Sequence, residues 1–182
     1  MRMRTMAFVA MAVLAPSGAV RAQGPESITV TVGAGAGWMR VSCDICQTSR
    51  DFGPSVLVDA GKFVRPGLRA AGEALVWTQQ VESEREVLGA LLASLYVHPR
   101  EGPLYLKGGL GYVGYRAGEE ISMNALGLQV GTGYRFELGT LALHGYANLL
   151  GSSFGSLQSE GTTIVPDVSA TLLQLGVGVT LR

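Results

Sequence analysis

The sequence predicts an all-β chain: an eight-stranded antiparallel up-and-down transmembrane β-barrel preceded by a cleavable signal peptide. Three observations predict it. Hydrophobic residues make up 47% of the chain and charged residues 15%, against about 25% charged in ordinary soluble domains. After residue 22 no stretch stays apolar for the ~20 residues that a spanning helix needs. The apolar residues are instead dispersed in period-two alternation, the pattern of strands with one lipid-facing and one lumen-facing side. The 26 glycines fit the same picture, because small residues leave room where side chains crowd a narrow lumen.

The N-terminus reads as an export signal. Arg2 and Arg4 give a positive start, Met6 to Ala15 forms a short apolar core, and Pro16-Ser17-Gly18 breaks it. Val20-Arg21-Ala22 places a small residue at the cut, so cleavage is expected after Ala22. No Leu-x-x-Cys stands near the cut, so a lipoprotein is not expected. Residues 1–22 are thus the signal peptide and 23–182 the barrel domain, 182 − 22 = 160 residues, the size of one domain. Loss of Arg2, Arg4 and Arg21 leaves 14 − 3 = 11 basic residues against 14 acidic ones. That balance offers no basic field for nucleic acid.

The strands follow in order. In Ile28 to Val41, Ile28, Val30, Val32, Ala34, Ala36 and Trp38 share one face, and Gly33, Gly35 and Gly37 lie on the other. A loop over 42–53 leads to Ser55 to Val64, with Val56, Val58 and Ala60 outward and Asp59 inward. Arg65-Pro66-Gly67 is a tight turn. Leu68 to Gln80 directs Leu68, Ala70, Ala74 and Val76 outward, and Arg69, Glu73 and Trp77 inward. Val87 to His98 has some helical propensity, but alternation still places Leu91, Leu95 and Val97 on one face and Leu88, Leu92 and Tyr96 on the other. Its neighbours require an antiparallel partner, so it reads as a strand.

Leu104 to Ala117 sends Leu104, Leu106, Leu110 and Tyr112 outward against Tyr105, Lys107, Gly109 and Gly111. Ser122 to Leu138 alternates most cleanly, Leu126, Leu128, Val130, Tyr134 and Phe136 opposing Gly127, Gln129, Gly131, Gly133 and Arg135, with Glu137 on the inner side. Leu141, Leu143, Ala147 and Leu149 oppose His144, Tyr146 and Asn148. A long loop reaches Asp167. The last strand sets Leu173, Leu175, Val177, Val179 and Leu181 against Gln174, Gly176, Gly178 and Thr180. It is expected to close the barrel on the first strand. The small inward residues of these two strands are expected to make room for larger side chains from the opposite wall, Arg135 and Tyr146 among them.

Short turns near Pro66, Glu101 and Gly139 alternate with longer loops, the asymmetry of periplasmic turns and external loops. A soluble eight-stranded barrel would bury its apolar face and expose its charges. Here Asp59, Arg69, Glu73, Lys107, Arg135 and Glu137 all fall opposite the aliphatic face. Arg40 and Lys62 fall on the aliphatic face near strand ends, where long basic side chains reach the headgroups. Trp38, Tyr112, Tyr134 and Phe136 are expected in interfacial girdles.

The signal peptide, the eight alternating strands, Lys107-Gly-Gly-Leu-Gly-Tyr-Val-Gly-Tyr115 and Val130-Gly-Thr-Gly-Tyr-Arg-Phe136 resemble the small bacterial outer-membrane β-barrel family of OmpA/OmpX type. The resemblance covers the mature chain and lacks a following peptidoglycan-binding domain. It implies residence in the cell outer membrane, contact with outer-membrane lipid, insertion by the barrel-assembly machinery and an unknown extracellular ligand. It also implies a terminal aromatic residue; this chain ends in Leu181-Arg182.

Four features invite a site. Cys43-Asp-Ile-Cys46 has redox or half-zinc spacing. It lacks the βαβ context of the former and the two further ligands of the latter, so an exported chain is expected to hold it as a disulfide. Gly109-Leu-Gly-Tyr-Val-Gly114 matches G-x-G-x-x-G, but no helix begins there, and inward barrel glycines explain it. Asp59, Arg69, Glu73, Lys107, Arg135, Glu137 and His144 are expected to form a luminal polar network. It acts either as a structural plug or as the gate of a narrow pore, and eight strands leave little aqueous width. His144, with Ser152, Ser153 or Glu160, is the one arrangement suited to a lipid A-modifying enzyme. The leading expectation is a non-enzymatic barrel without cofactor or metal, stabilising the envelope and presenting loops 42–53 and 151–167 for adhesion or recognition.

Overall fold

The structure, a computed structural model, describes residues 28–42, 50–81, 84–99, 102–118, 121–153, 156–159, 162–166 and 168–181. The expected signal peptide, Cys43 and Cys46 of the expected disulfide, and Arg182 lie outside these residues. Strands are β1 (Thr29–Ser42), β2 (Asp51–Arg65), β3 (Leu68–Val81), β4 (Glu84–Val97) and β5 (Leu104–Ala117). They continue with β6 (Ile121–Leu138), β7 (Leu141–Ser153), β8 (Ser156–Ser159), β9 (Thr162–Pro166) and β10 (Ser169–Leu181).

Eight of these close a barrel in the order β1–β2–β3–β4–β5–β6–β7–β10 and back to β1, each pair antiparallel. The closing seam runs unbroken from Val30↔Leu181 to Ser42↔Ser169. The ends of the barrel differ. At one, tight turns reverse the chain at Pro66-Gly67 and Gly139-Thr140, where Gly67 (φ 72°) and Gly139 (φ 65°) take the left-handed conformation that a side chain disfavours. The other carries the two longest connections, from β1 to β2 and from β7 to β10. We call them the short-turn and long-loop ends.

Two loop expectations change. β2 begins at Asp51 and runs through Gly53-Pro54, which looks like a breaker in sequence, so the first loop is shorter than 42–53. The 151–167 segment holds the rest of β7 and a hairpin, β8–β9. The cause lies in β6, whose pairing with β7 ends at Leu126↔Ser153 while the strand continues back to Ile121. That leaves one edge of its projecting end open, and Gln158 of β8 pairs there with Ser122.

Burial is inside-out relative to a soluble barrel. Leu126 is 72% exposed and Val177 70%, whereas Gln174 and Trp77 are fully buried. The outward band is continuous and aliphatic, and aromatics flank it. Tyr134 and Phe136 pair at the short-turn end with ring centroids 4.6 Å apart. Trp38 and Phe52 pair at the long-loop end, 5.3 Å apart. Leu126 and Phe136 are ten residues apart on β6. At ~3.4 Å rise and ~45° tilt this is about 24 Å of height, close to the ~25 Å apolar band of membrane barrels.

Candidate functional site

The lumen is the only region where polar chemistry is concentrated among the described residues, and it is layered. Near the long-loop end the inward positions are apolar: Met39, Leu75, Trp77, Leu88, Val113, Leu150 and Leu172 pack into one cluster, all buried. Register builds it, since Trp77 stands beside Leu88, Leu88 beside Tyr115, and Tyr115 beside Met123. Gly37 makes room for the indole: a Cβ there would stand 2.7 Å from Trp77 Cδ1. The indole N–H donates to the Gly37 carbonyl at 3.0 Å, so its one polar atom is satisfied.

Below lies an amide and hydroxyl tier. Asn148 Nδ2 donates to Gln174 Oε1 at 2.9 Å, and Gln174 Nε2 donates to Ser55 Oγ at 3.0 Å. Next toward the short-turn end come the charges. Asp59 and Glu73 face each other across β2 and β3, a like-charge pair that is unfavourable unless cations intervene. They do. Arg69 is paired with Asp59 and donates through Nε to Thr29 Oγ1 at 3.0 Å. Lys107 Nζ donates to Glu73 Oε2 at 2.7 Å. Tyr96, which neighbours both Arg69 and Lys107 in register, donates its hydroxyl to Glu73 Oε2 at 2.9 Å. Its ring lies 5.0 Å from the Arg69 guanidinium and 5.5 Å from Lys107 Nζ, an attractive placement over the π face. Two acids and two bases are thus balanced and buried, as charges removed from water must be.

The seven residues expected in the luminal network separate into three places. Asp59, Arg69, Glu73 and Lys107 form the buried cluster. His144 lies beside it, with Nε2 2.6 Å from Thr180 Oγ1, which in turn meets Thr31 Oγ1 at 2.8 Å. Arg135 and Glu137 pair with each other at 2.6 Å at the mouth, where the Glu137 side chain is 47% exposed. Alternation gave Glu137 the inner side but not its height, two residues before the turn, where the lumen opens to solvent. Tyr146 corrects the expected seam. It does not reach from the opposite wall; it sits beside Gly176 on the adjacent strand, with its ring over Gly33 and Gly176. Arg135 stays at the mouth and does not fill that space.

Sequence reasoning missed Tyr96 as the hub of the cluster and the apolar tier as a unit. Tyr96 alternates inward, and that signal was present, but its partners come from three other strands. His98 follows β4 at the short-turn end, its backbone N–H donating to Gly67 O at 2.7 Å. Burial of the ring, with the positive Arg135 and Arg69 nearby, pushes it down to about 4. A cavity of about 30 Å³, enough for about one or two waters, lies in this part of the lumen between His98, Arg69, Tyr105, His144 and Tyr146.

The catalytic arrangement is not assembled. His144 and Ser152 sit on one strand eight residues apart, about 26 Å at strand rise, far beyond hydrogen-bond reach. Glu160 lies outside the described residues.

A closed eight-stranded barrel with an aliphatic outside and a polar inside has close counterparts among solved structures. Neisserial surface protein A matches over 86% of this chain and 99% of its own, with a TM-score of 0.56 and 19% identity. Ail, the attachment invasion locus protein of Yersinia pestis, matches over 84% of this chain and 98% of its own, with a TM-score of 0.60 and 12% identity. The fold of this chain is that of the small eight-stranded outer-membrane barrels. A second structure of Ail, in complex with the heparin analogue sucrose octasulfate, matches with a TM-score of 0.55 and 16% identity. No protein-family model and no curated protein matches the sequence. At these identities the likeness concerns the fold.

Proposed function

We propose that this chain is a non-enzymatic barrel of the outer membrane, closed to solutes, which stabilises the envelope and presents its long-loop end outside the cell. On this reading residues 1–22 export it, the assembly machinery inserts it, and the short-turn end faces the periplasm. The observation that carries the proposal is the lumen: an apolar tier around Trp77 stacked on a charge-balanced tier around Tyr96. A solute crossing it would have to displace the indole from Gly37 and break buried ion pairs. Rearrangement of the ion pairs alone would leave the apolar tier in place, which is why the plug is preferred to the gated pore. With no route through the barrel, the surface left for biology is the β8–β9 hairpin and its neighbouring loops, and we assign them adhesion or recognition of an extracellular ligand.

The test is electrical. The mature chain, refolded and inserted into a planar bilayer, is expected to give no stepped openings. Discrete conductance steps, lost when the apolar tier is enlarged, would overturn the sealed reading.

A further inference from the structure

At its long-loop end the outer wall carries a polar break in the aliphatic band that the sealed-barrel reading does not use. Arg40 and Arg50 are both exposed, at the long-loop end. The β1–β2 register pairs Trp38 with Phe52 and ends at Met39 with Asp51; Arg40 follows Met39 on β1 and Arg50 immediately precedes β2, just past that last pair. Neither makes an ion pair among the described residues. Two like charges lining one groove repel, so an anion seated between them removes a cost as well as forming bonds. Beside them is a groove of about 190 Å³ lined by Trp38, Arg40, Arg50, Leu149, Thr171 and Leu173. Thr171 pairs with Arg40 on one side and with Gly151 on the other. A Cβ at Gly151 would meet nothing, which leaves this row open beside the arginines.

We propose that this groove is a site for the phosphate-bearing headgroup of an outer-leaflet lipid. The inference rests on the membrane reading above. Charge and height select the occupant. Among the described residues the lining holds two guanidiniums and no carboxylate, and guanidinium forks bind phosphate oxygens in pairs. The arginines lie two residues beyond the Trp38–Phe52 pair, and such aromatics mark the headgroup level. Below the arginines, Leu173 and Leu149 continue into the aliphatic band, so a chain attached to the bound phosphate runs down the wall it would occupy in any case. A protein ligand or a soluble anion would have no use for that continuity.

The experiment uses the full mature barrel refolded in phosphatidylcholine vesicles containing a minor fraction of diphosphoryl lipid A, then extracted into mild detergent for native mass spectrometry. One retained lipid A per barrel is expected, with apparent affinity about tenfold weaker or worse in Arg40→Gln/Arg50→Gln. Lys62→Gln, which removes an outward cation at the opposite end, is expected to bind like the parent. Heat-shifted gel migration verifies that each variant is folded. A folded parent that retains no lipid A, equal loss in Lys62→Gln, full displacement by inorganic phosphate, or a dimer that buries the groove would each overturn the proposal. Failure of the parent to insert into vesicles would instead overturn the membrane reading.

Discussion

Lys107→Met removes one partner of the most deeply buried ion pair and leaves the other in place. Lys107 and Glu73 side chains are 2% and 0% exposed, with Nζ to Oε2 at 2.7 Å. Without the lysine the luminal cluster goes from balanced to one net negative charge, because Arg69 is already committed to Asp59. Removing one member of a buried pair costs about 3–5 kcal/mol. Tyr96 still donates to Glu73 at 2.9 Å, so the expected loss lies near the lower end, about 3 kcal/mol. Adding Glu73→Gln restores charge balance and should recover about 2 kcal/mol of it, since the penalty belongs mostly to the unpaired charge. The assay is reversible urea unfolding of barrels in phosphatidylcholine vesicles, followed by tryptophan fluorescence and heat-shifted migration. A loss below about 1 kcal/mol for Lys107→Met, or a double variant no better than the single one, would refute the reasoning. Either result would mean that water reaches Glu73 and that this tier is not sealed.

Three further perturbations test other parts. Val130→Arg, at mid-height on the outer wall, should cost about 2–4 kcal/mol in vesicles, and Leu138→Arg at the rim at most about 1 kcal/mol; equal costs would contradict the lipid-facing assignment. Gly35→Ala should destabilise by about 1–3 kcal/mol, because its Cβ would collide with the backbone of Leu175 on β10, whereas Gly72→Ala, which meets nothing, should be neutral or slightly stabilising. His98 is held neutral by the fold, about 4 against an ordinary 6.5. The unfolded chain therefore protonates first, and stability should be full above pH 6.5, fall as pH drops toward 4, and level off below. The loss should be at most about 3 kcal/mol, and His98→Phe should flatten that limb of the urea midpoint against pH.

The period-two pattern made the wall legible. Leu126, Leu128 and Val130 point out, and Gly127, Gln129 and Gly131 in, because side-chain direction depends only on position along one strand. Closure by the last strand was legible for a similar reason, since an aliphatic face at the end of an antiparallel meander needs the first strand as partner. The height of a side chain within the lumen was not legible, because it depends on the stagger between strands. Asp59 and Glu137 look alike in sequence, yet one is buried in the cluster and the other sits at the mouth. Trp77 and Leu88 were each readable as inward, but that they share a tier follows only from their cross-strand register. Tyr146 was misplaced for the same reason: it is an inward residue whose neighbour, Gly176, is set by pairing and not by alternation.

The central claim is that lipid covers the outside of this barrel while its inside is packed. Nitroxide labels placed one at a time from Leu126 to Gly131, in a chain with Cys43 and Cys46 replaced by Ser, test it most directly by collision with oxygen in vesicles. The account predicts high oxygen accessibility at 126, 128 and 130 and low accessibility at 127, 129 and 131. Uniform accessibility along the segment, or the opposite phase, would contradict it.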